Sequence, residues 1–480
     1  MSKADTVVRH ESDAEGVVDI PAHRYWGAQT QRALELFTVG NEKLPSRIVH
    51  TFGWHKAAAA YANQQLGCLP HSMAKIVEEA SLEVASGLLD DHFPLPLWQT
   101  GSGTQTNMNA NEVIANRANE LQGFPLGSKH PVHPNDHVNR SQSSNDSFPT
   151  VMNVAATLAV REDLLPELKR LEAVFTTKAA EFSQAMRIGR THLNDAVPML
   201  VGQSFDVYRR QIELGIGRIK ETLVRLEEVP QGGTAIGTGA NAPKGFDTFF
   251  CERMSALLSI PIHPAQVKGE AMSAHDALVE LSGSLNGLAV TLTKIANDIR
   301  LLSAGPRSGI GEYLIPDDGL SSSIMPGKRN ATVAEVLIQV CQRVMGSHVT
   351  VTHAGASGLF ELNVAKPVLI HAVLESIELL TDACGVFRER LLIGLAVDRE
   401  RLEKNVSMSL MLATGLSPLI GYDKVAEISR KAQKEGTSVR DAALALAYVS
   451  PQDFDSYTAP SSMLGPFASV TVPIRSVDEN

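Results

Sequence analysis

A long, regular run of leucine and isoleucine constrains the fold of this chain more than any other feature. Residues 274–303 contain no proline, and apolar side chains recur there in alternating steps of three and four residues: Leu278, Leu281, Leu285, Leu288, Leu292, Ile295, Ile299 and Leu302. This spacing predicts one uninterrupted helix with a coiled-coil-like seam. At 1.5 Å per residue the helix would be roughly 45 Å long, which favours an elongated helix bundle.

The other faces of this predicted helix carry small residues, which would let further helices approach closely: Ser282, Gly283, Ser284, Gly287 and Ala289. A helix that is apolar or small on several sides is expected to be covered on several sides. This favours a central bundle shared between subunits, although a bundle within one chain would give the same pattern.

Further helical patterns extend over most of the chain. They cover about 56–66, 71–90, 150–186 with an interruption at Pro166, 203–228, and segments that begin near Thr332 and Lys366. We therefore predict a mainly α protein in which an elongated central helix bundle is flanked by two smaller domains. The predicted parts are a mixed, mostly helical domain at 1–140, the long-helix bundle at 141–399, and a small helical domain at 400–480.

Composition excludes several classes of function. Of the 480 residues, 44% are hydrophobic and 20% are charged, which is typical of a well-packed soluble protein. The net charge of -10 argues against nucleic acid or an acidic membrane as the main partner. Four scattered cysteines, Cys68, Cys251, Cys341 and Cys384, favour a reducing compartment. The polar amino terminus has no targeting pattern, so we expect a cytoplasmic protein.

Residues 319–335, GLSSSIMPGKRNATVAE, combine hydroxyls, one lysine and an amide in a Gly/Pro segment. The helix predicted from Thr332 would direct the positive end of its dipole toward this segment, which favours anion binding. An ordinary surface turn is the alternative, with Thr332 and Glu335 forming a capping box. A nucleotide phosphate loop is excluded, because Ser322 stands where that motif needs glycine. Gly237, Gly239 and Ala242 match a dinucleotide pattern only loosely and are interpreted as a turn.

Three other segments are rich in neutral hydrogen-bonding groups: WQTGSGTQTNMNANE at 98–112, HPNDHVNRSQSSND at 133–146 and GRTHLNDAVP at 189–198. Each alone could be an exposed turn, but together they could hold a small dianion with few charges of their own. His192 is the best acid/base candidate among the 15 histidines, since imidazole titrates near neutrality. Glu335 is a plausible carboxylate to orient it. The segments lack the ligand spacing of a metal site, which argues against metal binding there.

Taken together, these segments resemble the class II fumarases of the fumarase/aspartase superfamily. The similarity extends from residue 16 to about 457 and includes WQTGSGTQTNMNANE, HPNDHVNRSQSSND, GRTHLNDA, GGTAIGTG and SSIMPGKRN in the family's order. The resemblance implies a mostly helical homotetramer with each active site assembled from three chains. It also implies reversible hydration of fumarate to L-malate through an aci-carboxylate, as in the tricarboxylic acid cycle, without metal or organic cofactor.

The resemblance assigns roles to individual residues. Ser322 is implied as the base that takes the C3 proton of malate, and His192, helped by Glu335, as the acid/base for the departing water. Lys328 is implied to stabilise the intermediate. The substrate-binding residues carried over are Ser102, Gly103, Thr104, Ser143, Ser144, Asn145, Thr191, Ser323, Lys328, Arg329 and Asn330. A second dicarboxylate site is implied at His133, Pro134, Asn135 and Asp136.

The chain also departs from the family pattern. The usual glycine before the serine pair is Ser321, the usual valine and proline of the loop are Arg329 and Ala331, a glutamine is Asn194, and an arginine of the second site aligns with His130. These departures leave room for a different C4-dicarboxylate lyase, such as an aspartate ammonia-lyase. A catalytically silent structural relative is the third alternative.

Overall fold

The computed structural model describes residues 7–320 and 322–467. Helices dominate this part of the chain and follow one another in the order α1 Ala28–Leu36, α2 Ser46–Gln65, α3 His71–Ala85, α4 Thr104–Leu121, α5 Ser144–Leu158, α6 Leu165–Glu181, α7 Val201–Leu226, α8 Phe246–Leu258, α9 Lys268–Ser273, α10 Asp276–Leu302, α11 Thr332–Gly355, α12 Lys366–Phe387, α13 Arg399–Met408, α14 Ser417–Ile420, α15 Tyr422–Glu435, α16 Val439–Ala445 and α17 Pro451–Tyr457. The prediction of a mainly α protein is confirmed.

The strands are short and form only two-stranded sheets in the described residues. They are β1 Val8–Asp13, β2 Gly16–Pro21, β3 Met186–Thr191, β4 Asn194–Leu200, β5 Glu228–Val229, β6 His263–Pro264, β7 Tyr313–Leu314, β8 Gly358–Leu359, β9 Leu362–Asn363 and β10 Ala396–Val397. The antiparallel pairs are β1–β2, β3–β4, β7–β10 and β8–β9, while β5 and β6 are parallel. Neither β1–β2 nor β3–β4 was predicted: β1–β2 precedes the first predicted helix, and β3–β4 lies between two stretches with helical patterns.

The seam predicted for residues 278–302 is confirmed. Helix α10 runs unbroken through it, and all eight seam side chains are buried. Helices α7, α11 and α12 also begin within about two residues of their predicted starts. A 3.6-residue apolar period sustained over five or more turns therefore located the long helices correctly.

The helical pattern predicted for residues 150–186 is interrupted a few residues before Pro166, not at the proline itself. Residues Ala159–Leu164 form a π-helical turn that leads directly into α6. Proline has no N–H to donate to the carbonyl four residues earlier, so the helical ladder has to change its pattern there. The chain stays helical on both sides of the turn, so the result is a local defect rather than a loop.

The chain divides into two compact units, each made of discontinuous segments. Unit 1 contains residues 1–166, 217–289 and 342–381, and unit 2 contains 167–216, 290–341 and 382–480. The division at residues 140 and 399 expected from the sequence follows chain order and stays a prediction. Helix boundaries do not mark the units, since the chain passes between them inside long helices such as α10 and α11.

Unit 1 contains two hydrophobic clusters built around α2. One includes Val77 and Val84 of α3 with Val113 and Ile114 of α4. The other packs the alanines Ala58, Ala59 and Ala62 of α2 together with α8 residues such as Phe250. Alanine on one face of α2 lets its neighbours approach closely, so the polar residues of this helix are drawn into the interior as well.

Unit 2 has its own cluster near the carboxy terminus, from Ala413 to Phe454. Helix α15 begins after Gly421 and ends at Gly436, whose φ of 65° is the left-handed conformation that glycine adopts without strain. The predicted short helices punctuated by glycine and proline are confirmed here. Elsewhere in the chain, Cys251, Cys341 and Cys384 are buried as expected, whereas Cys68 is half-buried. No helix within the described ranges is long and apolar enough to cross a membrane.

Candidate active site

Three hydroxyls in unit 1, those of Ser102, Thr104 and Ser144, form what we call the hydroxyl cluster. The Oγ atoms of Ser102 and Thr104 are 2.8 Å apart, and Thr104 Oγ1 is 2.7 Å from Ser144 Oγ. Gly103 between them has φ of 74°, and a Cβ atom there would stand 2.2 Å from the Phe148 ring. Only glycine fits this corner, so the turn that starts α4 also brings the three hydroxyls together.

The amino terminus of α5 carries the next predicted residues. Ser143 is its N-cap and forms a capping box with Asp146. Asn145 donates through Nδ2 to the Ala235 carbonyl, 2.9 Å away. The first-turn amides and the hydroxyl of Ser144 therefore stand at the positive end of the α5 dipole, which is a favourable place for a carboxylate.

Asp146 is completely buried and connects α5 to the glycine-rich turn after β5. Its Oδ2 accepts hydrogen bonds from the Gly232 and Thr234 amides at 3.1 and 2.8 Å, while Oδ1 accepts from the Ser143 amide at 3.0 Å. Burial raises the pKa of this carboxyl to about 6 despite these donors. The segment 232–242 is a turn, as expected, and this carboxylate holds it against α5.

A buried lysine of α2, Lys56, lies behind the same segments. Its Nζ donates to amide oxygens of Asn107, Asn139 and Gln142 at 2.7, 3.2 and 2.8 Å. The side chain is 0% exposed, and burial lowers its pKa to about 7. A charged residue at the centre of unit 1 needs such a set of acceptors to be tolerated at all.

The predicted second site forms a π-helical turn, Pro134–Val138, capped by His133. The His133 Nδ1 accepts from the amides of Asn135 and Asp136 at 3.2 Å and is 3.4 Å from an Asp136 carboxylate oxygen. His133, Pro134 and Asn135 line a cavity of ≈ 50 Å³. Asp136 does not line it, and its carboxylate is largely exposed.

The Thr-His pair lies at the tip of the β3–β4 hairpin in unit 2. Thr191 pairs with Asn194, so His192 and Leu193 form a two-residue turn, with φ of 55° and 62°. Positive φ at both positions is the geometry of a type I′ hairpin turn. His192 is exposed at this tip, so its imidazole projects from a rigid support.

An ion pair inside unit 2 anchors this hairpin. The Arg190 guanidinium donates to both carboxylate oxygens of Glu312, at 3.0 and 2.6 Å, and the Glu312 side chain is 0% exposed. Asn405 Nδ2 donates to the same carboxylate at 2.9 Å. A bidentate pair of this kind sets orientation as well as distance, and it places the strand that leads to His192.

Residues 319–331 form what we call the serine loop. Ser322 Oγ accepts from the Ile324 and Met325 amides at 3.4 and 3.2 Å. Ser323, Lys328, Arg329 and Asn330 are exposed. Arg329 pairs with Asp317, just before the loop, at 2.7 Å, with both side chains at least half exposed, so its charge is partly compensated. Ser321 lies outside the described residues.

Helix α11 begins at Thr332 as expected, and the capping box of Thr332 with Glu335, the alternative interpretation of this segment, does not form among the described residues. The Thr332 hydroxyl donates to Asp318, and the Glu335 amide donates to the Ala331 carbonyl at 3.1 Å. The Glu335 carboxylate is 4.0 Å from the Arg300 guanidinium. In the described part of the chain no hydrogen bond or ion pair joins it to His192, so its orienting role stays a prediction.

The predicted residues thus fall into two sets. Unit 1 contains the hydroxyl cluster with Ser143 and Asn145, and the second-site residues His133 to Asp136; unit 2 contains Thr191, His192, the serine loop and Glu335. Direct bonds join the members of the hydroxyl cluster to one another, Asn145 to Ser143, and Asn135 and Asp136 to His133. Lys56, Asp146 and Glu312 were not singled out from the sequence, although a lysine before four alanines on an apolar helix was a usable signal.

Comparisons with known proteins identify the family. The model of the family described as "Lyase" matches residues 16–346, and that described as "Fumarase C C-terminus" matches 412–465. The chain is 50% identical to fumarate hydratase class II of Methylorubrum extorquens, covering 96% of this chain and 98% of that protein. It is 49% identical to mitochondrial fumarate hydratase 1 of Arabidopsis thaliana, covering 96% and 94%.

A solved structure agrees with this assignment. The crystal structure of class II fumarase from Schistosoma mansoni superposes with a TM-score of 0.94 at 40% identity, covering 96% of this chain and 100% of that chain. Sequence and fold therefore agree over nearly the whole length. The chain belongs to the class II fumarase family of lyases.

Proposed function

We propose that this protein is a fumarate hydratase, which adds water reversibly and in anti geometry to fumarate to give L-malate. The observation that carries the proposal is the identity of about 50% over 96% of the chain to relatives named as fumarate hydratases. The geometry of the hydroxyl cluster is compatible with a small dicarboxylate, because three neutral hydroxyls and a helix amino terminus stabilise an anion without adding a competing charge.

The dehydration direction explains the roles of the residues. Ser322 Oγ takes the C3 proton of malate, and the electrons left behind move onto the adjacent carboxylate to give the aci-carboxylate with two negative oxygens. Lys328, Asn330 and the amino terminus of α11 stabilise this charge, which develops in the transition state and is complete in the intermediate. His192 then gives a proton to the C2 hydroxyl, and the C–O bond breaks to release water and fumarate.

A serine base requires stabilisation of its alkoxide, and the serine loop offers two donors. The Ile324 and Met325 amides already point at Ser322 Oγ. Hydrogen bonds to the ionised form of a group lower its pKa. This local geometry supports Ser322 as the base, and the ammonium of Lys328 adds a positive charge in the same loop.

We also propose the homotetramer with active sites shared between three chains. The long helices keep apolar side chains on their outer faces, with Val224 64%, Val290 54% and Val349 56% exposed in the single chain. Exposed apolar residues repeated along long helices are typical of surfaces that other subunits cover. Association would also bring copies of the unit 2 residues to unit 1 residues of other chains.

The remaining expectations belong to the same proposal. His133, Pro134, Asn135 and Asp136 would bind a second dicarboxylate, with His130 in place of the family's arginine. No metal or organic cofactor is expected to be required. A cytoplasmic location is proposed from the sequence, whereas the name of the Arabidopsis relative places that protein in mitochondria. A place in the tricarboxylic acid cycle follows if the reaction is fumarate hydration.

A direct assay tests the function. The purified protein is mixed with fumarate in buffer with and without ammonium, and the loss of ultraviolet absorbance is followed while the product is identified by proton NMR. We expect absorbance to fall without ammonium and malate to accumulate. A loss that needs ammonium and yields aspartate would assign an ammonia-lyase, and no loss in either buffer would favour a silent relative.

A further inference from the structure

Lys56 is an unusual residue for its position. It lies in the middle of α2, is 0% exposed, and is followed by Ala57, Ala58, Ala59 and Ala60, all of them buried. Burying an ammonium costs several kcal/mol even after the protein relaxes. A lysine that only supported packing could be replaced by an apolar residue, so its presence suggests a role for the charge.

The acceptors of Lys56 connect three predicted binding segments. Asn107 is three residues after Thr104 in α4, Gln142 immediately precedes Ser143, and Asn139 directly follows the second-site turn at 134–138. Bonds from the one Nζ reach all three side-chain oxygens at 2.7–3.2 Å. A single buried group therefore sets the spacing of the hydroxyl cluster and the second-site turn.

The amide groups around Nζ are themselves held in orientation. Asn107 and Asn111 donate to the Asn139 oxygen at 3.2 and 3.1 Å, and Gln142 Nε2 donates to the Val138 carbonyl at 3.0 Å. Because the side-chain nitrogens of Asn107 and Gln142 are engaged elsewhere, their oxygens are presented to Lys56. A connected buried network of this kind moves as one unit.

The charge of Lys56 is shared with neutral partners. Its three hydrogen-bond acceptors are amide oxygens, and the buried Asp146 acts on it electrostatically rather than as a bonded partner. In a low-dielectric interior a charge that is not bonded to a counter-charge keeps much of its field. Burial lowers the pKa of Lys56 to about 7, so a dianion bound nearby would favour the ammonium form.

We propose that Lys56 is a positioning residue for the substrate: it holds the hydroxyl cluster and the second-site turn in register, and its buried positive charge attracts the dicarboxylate. This inference rests on the proposed function. Lys56 acts through Asn107, Asn139 and Gln142 rather than by touching the reacting atoms. Its charge adds to the positive potential of the α5 amino terminus, in a chain whose net charge of -10 would otherwise repel a dianion.

The test compares Lys56→Met and Lys56→Gln with a matched control, Lys178→Met. Lys178 is also buried, and its Nζ bonds the Leu395 carbonyl at 2.7 Å and Glu181 at 2.9 Å. The measurements are KM and kcat for fumarate, calorimetric binding of succinate as an unreactive dicarboxylate, and the urea midpoint. Both Met variants are expected to lower the urea midpoint.

Only the Lys56 variants should weaken dicarboxylate binding. We expect a roughly 10-fold or larger rise in KM and in the succinate dissociation constant, since a nearby charge in the interior contributes at least this much. Lys56→Gln keeps an amide donor but removes the charge. Compared with Lys56→Met, it should therefore recover more of the urea midpoint than of the dicarboxylate affinity. If Lys56→Met does not fold, Lys56→Gln carries the test.

Two outcomes overturn the inference. One is a folded Lys56 variant that binds succinate and fumarate as the wild type does, and the other is an equal loss of binding in Lys178→Met. Failure of the proposed function can be told apart from these outcomes, because it would be seen as a wild-type protein that does not hydrate fumarate. In that case the succinate measurements still decide the role of Lys56, and a wild type that binds no dicarboxylate rejects both.

Discussion

The hydroxyl cluster and the serine loop carry similar chemical groups, yet the structure supports them in opposite ways. Ser102, Thr104 and Ser144 bond to one another in a turn that only glycine permits, with the buried Lys56 and Asp146 holding the surrounding segments. The serine loop is exposed, and Ser322 accepts its bonds from amides only two and three residues further on.

This difference suits the hydroxyl cluster to substrate binding and the serine loop to the chemical step. Groups already held in place by buried bonds bind a ligand without further ordering, so they suit recognition. An exposed loop stabilised by local bonds can adjust when substrate or a neighbouring subunit arrives. The comparison therefore predicts that substitutions in the loop change turnover, whereas substitutions in the cluster change affinity.

Replacing the serine-loop base should have the largest effect. For Ser322→Ala we expect kcat to fall by roughly 10²- to 10⁴-fold, because a proton-transfer group is lost. Circular dichroism and the urea midpoint should stay unchanged, and Ser357→Ala, which removes a hydroxyl that bonds the His353 carbonyl, should stay active. A variant with a near-normal rate would remove Ser322 from the base role.

Lys328→Ala should come next, with kcat reduced by about 10²-fold or more through loss of oxyanion stabilisation. Steady-state kinetics with fumarate and with malate would measure it. Lys169→Ala is the matched control, since this exposed lysine of α6 pairs with Glu172 at 2.8 Å and has no assigned role, and it should have a much smaller effect. A rise in KM with kcat retained would make Lys328 a ground-state binder instead.

Within the cluster, Thr104→Val should raise KM by roughly 10-fold while kcat changes little. Valine keeps the shape of threonine but removes the Oγ1 that bonds both serines, and a hydrogen bond to a charged ligand is worth about 1.5–3 kcal/mol. Thr177→Val on the exposed side of α6 is the control. A large loss of kcat at unchanged KM would contradict the division between the two regions.

The last expected effect concerns stability instead of kinetics. Burial lowers the pKa of Lys56 to about 7 from its ordinary value of 10.5, so above pH 7 the folded protein releases a proton that the unfolded chain retains. The free energy of unfolding of the wild type, relative to that of Lys56→Met, should therefore rise with pH by up to about 1.4 kcal/mol per pH unit. The rise should level off as the pH approaches 10.5, the ordinary pKa of lysine. Urea unfolding near neutral pH and near pH 9.5 would measure the difference; an equal pH dependence would mean that Lys56 is not desolvated.

The extent of sequence prediction differs between these regions. The period of Leu278 to Leu302 determined α10, because the repeat is long enough to identify one face of one helix. The hairpin that presents His192 was missed, since its strands are short and its turn lacks the usual Asn-Gly signal. The sequence left a capping box at Thr332 open as the alternative, but the Thr332 hydroxyl bonds Asp318, a partner 14 residues away that no local pattern indicates.

The sequence by itself determined the long helices, the family and the segments that carry the candidate site, because helical period and local motifs are properties of neighbouring residues. Only the tertiary structure decided that Lys56 meets Asn107, Asn139 and Gln142, that Asp146 holds the glycine-rich turn, and that Glu312 anchors the His192 hairpin. These contacts join residues far apart in the chain. Burial makes each of them necessary, since a charged group withdrawn from water must find its partners wherever the fold brings them.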